Sequence, residues 1–197
     1  NALYDSIEMV DPIYHKRLVN DMTYLPISDR YLKTIRISTL KNLEILDCHN
    51  NELTRLEGLE NLTKLEHLDC ASNNLTDLKG IEKLRSLEIL NCNNNKLTSL
   101  DEIEKLTRLY ELKCVHNNIT DIKYLGNLNK LKTFSCSNNK LTSLKGIENL
   151  FRLEYFTAYS NNLPDTLAYD KDHDFNCLKE ISSRISVAQS RGMHWSL

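Results

Sequence analysis

The 197-residue sequence predicts an α/β fold built as a solenoid. Its concave side is a curved, parallel β-sheet, its convex side runs through 3₁₀ or extended segments, and helical caps close both ends. Three observations predict this. Leu and Asn are in excess at 34 and 22 residues, while Gly and Pro number 5 and 3, too few for a sandwich of many tight turns. Cys48, Cys70, Cys92, Cys114 and Cys136 stand 22 residues apart, with Ala158 on the next step. Asn51, Asn73, Asn95, Asn117, Asn139 and Asn161 keep the same step, as do the leucines that open each unit, from Leu43 to Leu153. A fixed period of this length marks a stack of like units.

Taken in order, residues 1–42 lack the full repeat and form the predicted first cap. Asp11-Pro12 reads as a helix N-cap followed by proline at the first helical position. Ile13, Tyr14, Arg17, Leu18 and Met22 then share one helical face to about residue 22. Leu32, Ile35, Ile37 and Leu40 form a degenerate half-unit that joins this helix to the array.

Residues 43–164 hold five full units and one partial unit. Their consensus is L-x-x-L-x-C-x-x-N-x-L-x-x-L-x-x-I/L-x-x-L-x-x, and Thr follows the eleventh-position Leu or Ile in the five complete units. In the opening segment side chains alternate, so Leu46 and Cys48 point inward while Ile45, Asp47 and His49 point out. The Asn at position nine ends the strand, where its amide can satisfy turn groups that a Leu would leave unpaired. Apolar residues every third position (Leu53, Leu56, Leu59 and Leu62) suit a 3₁₀-like or extended return. One unit cannot bury its own apolar face, so stacking is obligatory.

This pattern, carried by LEILDCHNNELTRLEGLENLTK, its four successors and the partial LEYFTAYSNNLP, resembles the leucine-rich repeat family. It is most similar to the 22-residue class of bacterial internalins and of the regulatory subunit of type 1 protein phosphatase. The resemblance implies a leucine-rich-repeat solenoid over about residues 43–164; the fold itself serves unrelated partners.

Residues 165–197 form the predicted second cap. The pattern stops at Pro164, and Phe175, Leu178, Ile181 and Ile185 predict a helix from about 174 to 190, ended near Gly192. The chain starts at Asn1 instead of Met, which reads as a trimmed product with Asn1-Ala2 as its scar.

The composition excludes several classes of function. With 27 acidic and 25 basic residues the formal charge is -2, which suits neither a nucleic-acid track nor a polybasic membrane anchor. No apolar run is long enough to span a bilayer. The five in-register cysteines read as small core fillers, because neighbouring strands ~4.8 Å apart do not favour disulfides and a row cannot cage a metal. Cys177 with His173 lacks an orienting third group for nucleophilic catalysis. Asp170, Asp172 and Asp174 start like a calcium loop, but Phe175 and Ile181 stand where Gly and Glu are needed. The sequons at Asn61, Asn74 and Asn118 follow from the repeat pattern itself. The sequence therefore predicts no enzyme, no cofactor and no metal site.

The outward strand positions remain. They vary between units while inward ones barely change, although drift of an unconstrained surface produces the same variation. The predicted partner-binding residues are Ile45, Asp47, His49, His67, Asp69, Ile89, Asn91, Asn93, Glu111, Lys113, Val115, His116, Tyr155 and Tyr159. Apolar and aromatic groups at Ile45, Ile89, Val115, Tyr155 and Tyr159 lie on a face with no core to bury them, as contact patches do. Charge is graded, from Glu44, Asp47, Glu66, Asp69 and Glu88 on early units to Lys113 and Lys132 on later ones. His49, His67 and His116 add groups that titrate near neutrality.

The expected function is a non-catalytic module that binds another protein through its concave face and is a monomer before binding. It is read as an intracellular regulator or inhibitor, or as a bacterial effector acting in a host cell, partly because buried unpaired thiols suit a reducing compartment. Two alternatives stay open: the recognition segment of a larger enzyme such as a repeat-bearing ubiquitin ligase, and an extracellular internalin-like adhesin.

Overall fold

The computed structural model describes residues 21–147 and 150–163. Each repeat contributes a three-residue strand whose middle side chain is buried: β1 Tyr24–Pro26, β2 Ile45–Asp47, β3 His67–Asp69, β4 Ile89–Asn91, β5 Glu111–Lys113, β6 Thr133–Ser135 and β7 Tyr155–Thr157. They form one seven-stranded sheet in chain order, every neighbour parallel. Register is set by the repeat: Ile45 stands beside His67, and His67 beside Ile89, so equal positions form columns across the sheet.

One strand more is present than the sequence predicts. β1 lies within the predicted first cap, between the end of its helix near residue 22 and the half-unit that begins at Leu32, and Tyr24 pairs with Ile45 only 21 residues later. That one-residue shortfall, with Arg30 where later units carry Asn, puts β1 out of frame with the 22-residue step. Ile35 and Leu40 are buried as predicted, and Met22, Leu32 and Ile37 pack against the core. Apart from Asp21 and Met22, the predicted capping helices lie outside the described residues, as do Pro164, His173, Cys177 and the acidic run from Asp170 to Asp174.

The core is a stack of leucines, each fully removed from water in the central units; Leu46, Leu68, Leu90 and Leu112 form one such column. Full burial of a Leu side chain contributes roughly 1.5–3 kcal/mol, so the hydrophobic drive rises with each unit added. The convex return turns through successive i to i+3 bonds, such as Leu62 N–H to the Leu59 carbonyl and Leu65 N–H to the Leu62 carbonyl, both 2.9 Å. Two returns close into 3₁₀ helices, Asp101–Ile103 and Lys123–Asn127. The expected 3₁₀ or extended convex side is thus what the apolar spacing builds.

Two polar columns run through this stack. At position nine, the Asn95 amide donates to the carbonyls of Cys70, Cys92 and Asn93 at 3.0, 3.2 and 3.2 Å, while its oxygen accepts the Leu75 N–H at 2.9 Å. Asn73, Asn117 and Asn139 repeat the arrangement, so every such Asn ties its own turn to the unit before it. At position six the five thiols are free and buried, and each donates to a carbonyl on the next strand, as Cys92 Sγ does to Lys113 at 3.2 Å.

Burial pushes every one of these thiols well above its ordinary pKa, and the adjoining thiol adds to the rise in the first four. A thiol held neutral and out of solvent is a poor nucleophile. In a Cys177→Ser variant, a disulfide reagent at pH 8 is therefore expected to leave all five unmodified in the folded protein and to titrate five after denaturation. Rapid reaction of any of them in the native state contradicts the closed core.

Candidate partner-binding face

Strand alternation sends positions three, five and seven of each unit to the concave side. The predicted residues other than His116 occupy that side, but not equally. Ile45, Tyr155 and Tyr159 are exposed at 36%, 56% and 49%, whereas Asp47, His49, His67, Asp69, Ile89, Asn91, Asn93, Glu111, Lys113 and Val115 are half-buried. Tyr24 on β1, absent from the prediction, is exposed at 51% and extends the position-three column to Tyr24, Ile45, His67 and Ile89. Seven strands at ~4.8 Å give a face about 29 Å across.

Position seven is less open than its alternation suggests. Ala71 and Ser137 are buried, Ser137 completely, because small side chains there sit below larger neighbours such as Val115 and Tyr159 in the flanking units. His116 is on position eight, the turn, where φ is +57°. Asn50, Ser72, Asn94, Asn138 and Ser160 hold the same left-handed conformation in their units, so His116 belongs to the rim of the sheet.

Position five does two jobs. Asp47, Asp69 and Asn91 each accept, through Oδ1, the backbone N–H two residues on, at 3.2, 3.0 and 3.3 Å. These side-chain bonds close the strand exit where the ladder leaves the donor without a partner. Asn91 Nδ2 also donates to Asp69 Oδ2 at 2.9 Å, and Asn93 Oδ1 accepts the Val115 N–H at 2.7 Å, which stitches neighbouring units.

The predicted charge gradient is flattened at its basic end. Lys113 pairs with Glu111 at 2.5 Å and Lys132 with Glu154 at 2.8 Å, so neither offers an uncompensated positive charge. Glu88 is likewise paired, with Arg108 at 2.6 Å. The acidic end persists. His49 Nδ1 lies 2.6 Å from Asp47 Oδ1, and its Nε2 lies 3.6 Å from Asp29 Oδ2 on the adjoining turn. The bond to Asp47, aided by the charges of Asp47, Asp69 and Asp29, raises the His49 pKa above its ordinary value. One donor atom each from Asp47, His49 and Asp69 falls within 4.8 Å of the others, a cluster that the sequence reading, with no metal site, does not contain.

A family profile for leucine-rich repeats in two copies matches residues 41–85, 63–105, 85–127 and 107–149, more than half of the chain. Among solved structures, the functional domain of InlJ from Listeria monocytogenes, described as including a cysteine ladder, superposes with a TM-score of 0.67 at 34% identity, covering 72% of this chain and 31% of that one. A leucine-rich-repeat protein of Leptospira interrogans gives 0.63 at 29% identity, covering 78% and 47%. The chain thus spans less than half the length of either. No curated protein sequence matches it. Profile, parallel sheet and repeated Asn and Cys columns agree: the chain belongs to the leucine-rich repeat family and is internalin-like in its 22-residue unit.

Proposed function

We propose that this chain is a non-catalytic protein-binding module whose concave sheet grips a partner protein. One observation carries the reading: Tyr24, Ile45, Tyr155 and Tyr159 stay exposed on a parallel sheet whose other face is packed. Parallel sheets are ordinarily covered on both sides. Large aromatic groups held on such a rigid open face are the residues that dominate binding when a partner covers them. A face about 29 Å across accommodates a standard interface of ~800 Å² per partner.

The setting we favour is that of a regulator or inhibitor of another protein, or of an effector acting inside a host cell. The thiol column supports this less than its composition suggests, since buried thiols with raised pKa resist oxidation in any compartment. The alternative is an extracellular adhesin of the internalin kind, consistent with the internalin-like repeat.

The test is affinity capture with mass spectrometry, using wild type and a Tyr24→Ala/Tyr155→Ala/Tyr159→Ala variant. The variant is expected to keep the wild-type circular dichroism spectrum and to lose at least ~10-fold in partner recovery, since hot-spot residues cost ~2 kcal/mol or more each. Equal recovery by the folded variant overturns the concave-face reading.

A further inference from the structure

The β2–β3 end of the face brings metal-binding chemistry to one point. Asp47 and Asp69 are register partners on adjacent strands, and His49 follows Asp47 by two residues on the same face. Donor atoms of the three lie within 4.8 Å of one another. Asp29 flanks the ring from the first turn, 3.6 Å from Nε2. The carboxylates are also aimed. Asp47 Oδ1 accepts the His49 N–H, while Asp69 accepts the Ala71 N–H and the Asn91 amide. Bonds of this kind fix the orientation of metal ligands.

We propose that Asp47, His49 and Asp69 form a binding site for a divalent transition-metal ion, with zinc as the reference ion. An imidazole nitrogen beside two carboxylates suits zinc, manganese or nickel, whereas calcium takes six to eight oxygens, more than this group supplies. Electrostatics point the same way. Three carboxylates, those of Asp29, Asp47 and Asp69, surround one imidazole, and the neighbouring β4 unit offers neutral Asn91 and Asn93 instead of a competing cation. Among the described residues the set occurs once: the next units carry Asn91 with Asn93, then Lys113 with Val115, at the same two positions. Half-buried ligands leave the ion open to solvent, so three protein ligands keep a coordination position for water or an incoming side chain. The site stands on this cluster alone and does not rest on the partner-binding reading.

The experiment uses the whole chain without any partner. After chelator treatment, ZnCl2 is titrated by calorimetry and CoCl2 by visible absorption, with CaCl2 as comparison. One zinc per chain is expected, with affinity at least ~10-fold weaker in His49→Ala and in Asp69→Asn. Both side chains are partly exposed, and Asp69→Asn keeps an oxygen for the Ala71 N–H, so both variants are expected to remain folded by circular dichroism. Zinc is also expected to shift the His49 imidazole resonances in the unaltered protein, a readout that needs no variant. CaCl2 is expected to show no saturable binding at the same concentrations. Zinc binding of full strength in both variants, a silent His49, or no saturable binding at all overturns the assignment.

Discussion

Asn95→Leu is expected to destabilise the chain by roughly 3–5 kcal/mol, the size of effect produced when a buried polar network loses its central member. For a chain of about this length that corresponds to a fall in Tm of roughly 10 °C. The cost can be traced bond by bond. The carbonyls of Cys70 and Cys92 keep a second donor, the amides of Asn73 and Asn117, and the Asn93 carbonyl keeps the Ser72 N–H. The buried Leu75 N–H keeps nothing, because Asn95 Oδ1 is its acceptor. The loss therefore falls on one orphaned donor and on the tie between two units, and the added apolar volume of Leu meets only backbone polar groups. Asn95→Asp separates donors from shape. It retains the acceptor but turns a carboxylate toward three carbonyls, so its folded pKa is raised; its destabilisation is largest at neutral pH and shrinks as acid protonates it. Circular dichroism melts of both variants check this. A Tm unchanged in Asn95→Leu contradicts the role given to the ladder.

The same ladder shows why the fold is legible from sequence. Position nine must offer donors and an acceptor at once, and position six must fit a small side chain between strands, so Asn and Cys recur without slip from Asn51 to Asn139 and from Cys48 to Cys136. β1 escapes that reading because its constraint is weaker. Tyr24 and Leu25 keep strand alternation, but Arg30 stands where later units carry the Asn amide, and one residue drops from the spacing. The backbone N–H groups of Arg30 and Leu32 are served by Asn51 from the following unit.

The site is legible only in part, for a different reason. Alternation places Ile45, Asp47 and His49 outward correctly, since that depends on neighbours in the chain. Whether an outward side chain is free depends on neighbours 22 residues away. Lys132 looks like an exposed cation until Glu154 is set beside it, and Asp69 like a free acid until Asn91 is set next to it. Ser137 is buried by what flanks it in space, which its own position cannot reveal. The gathering of Asp29, Asp47, His49 and Asp69 exists only once β1 is in the sheet and the register is known.

Gly80→Ala is expected to cost about 2 kcal/mol, within the range for forcing a residue out of a conformation only glycine holds easily, and to lower Tm by roughly 4–8 °C. Gly80 has φ of +107°, and a Cβ there would stand 2.5 Å from the Leu56 carbonyl oxygen of the unit below. Backbone on backbone cannot yield as a flexible side chain does. The stack itself offers the escape route. At the same position the third and fourth units carry Glu102 and Tyr124, and there the chain turns through the 3₁₀ helices Asp101–Ile103 and Lys123–Asn127 instead. The cost of Gly80→Ala is then the difference between two return paths, bounded by what refolding one turn demands. This makes the prediction testable against two partners. Gly126→Ala, with nothing within 4 Å of the new Cβ, is expected to be neutral or slightly stabilising. Lys79→Asp with Gly80→Glu, which copies the Asp101-Glu102 turn, is expected to recover stability relative to Gly80→Ala. If Gly80→Ala melts with the wild type, the left-handed turn is not a constraint on the stack, and the choice between Gly and 3₁₀ at this position has some other cause.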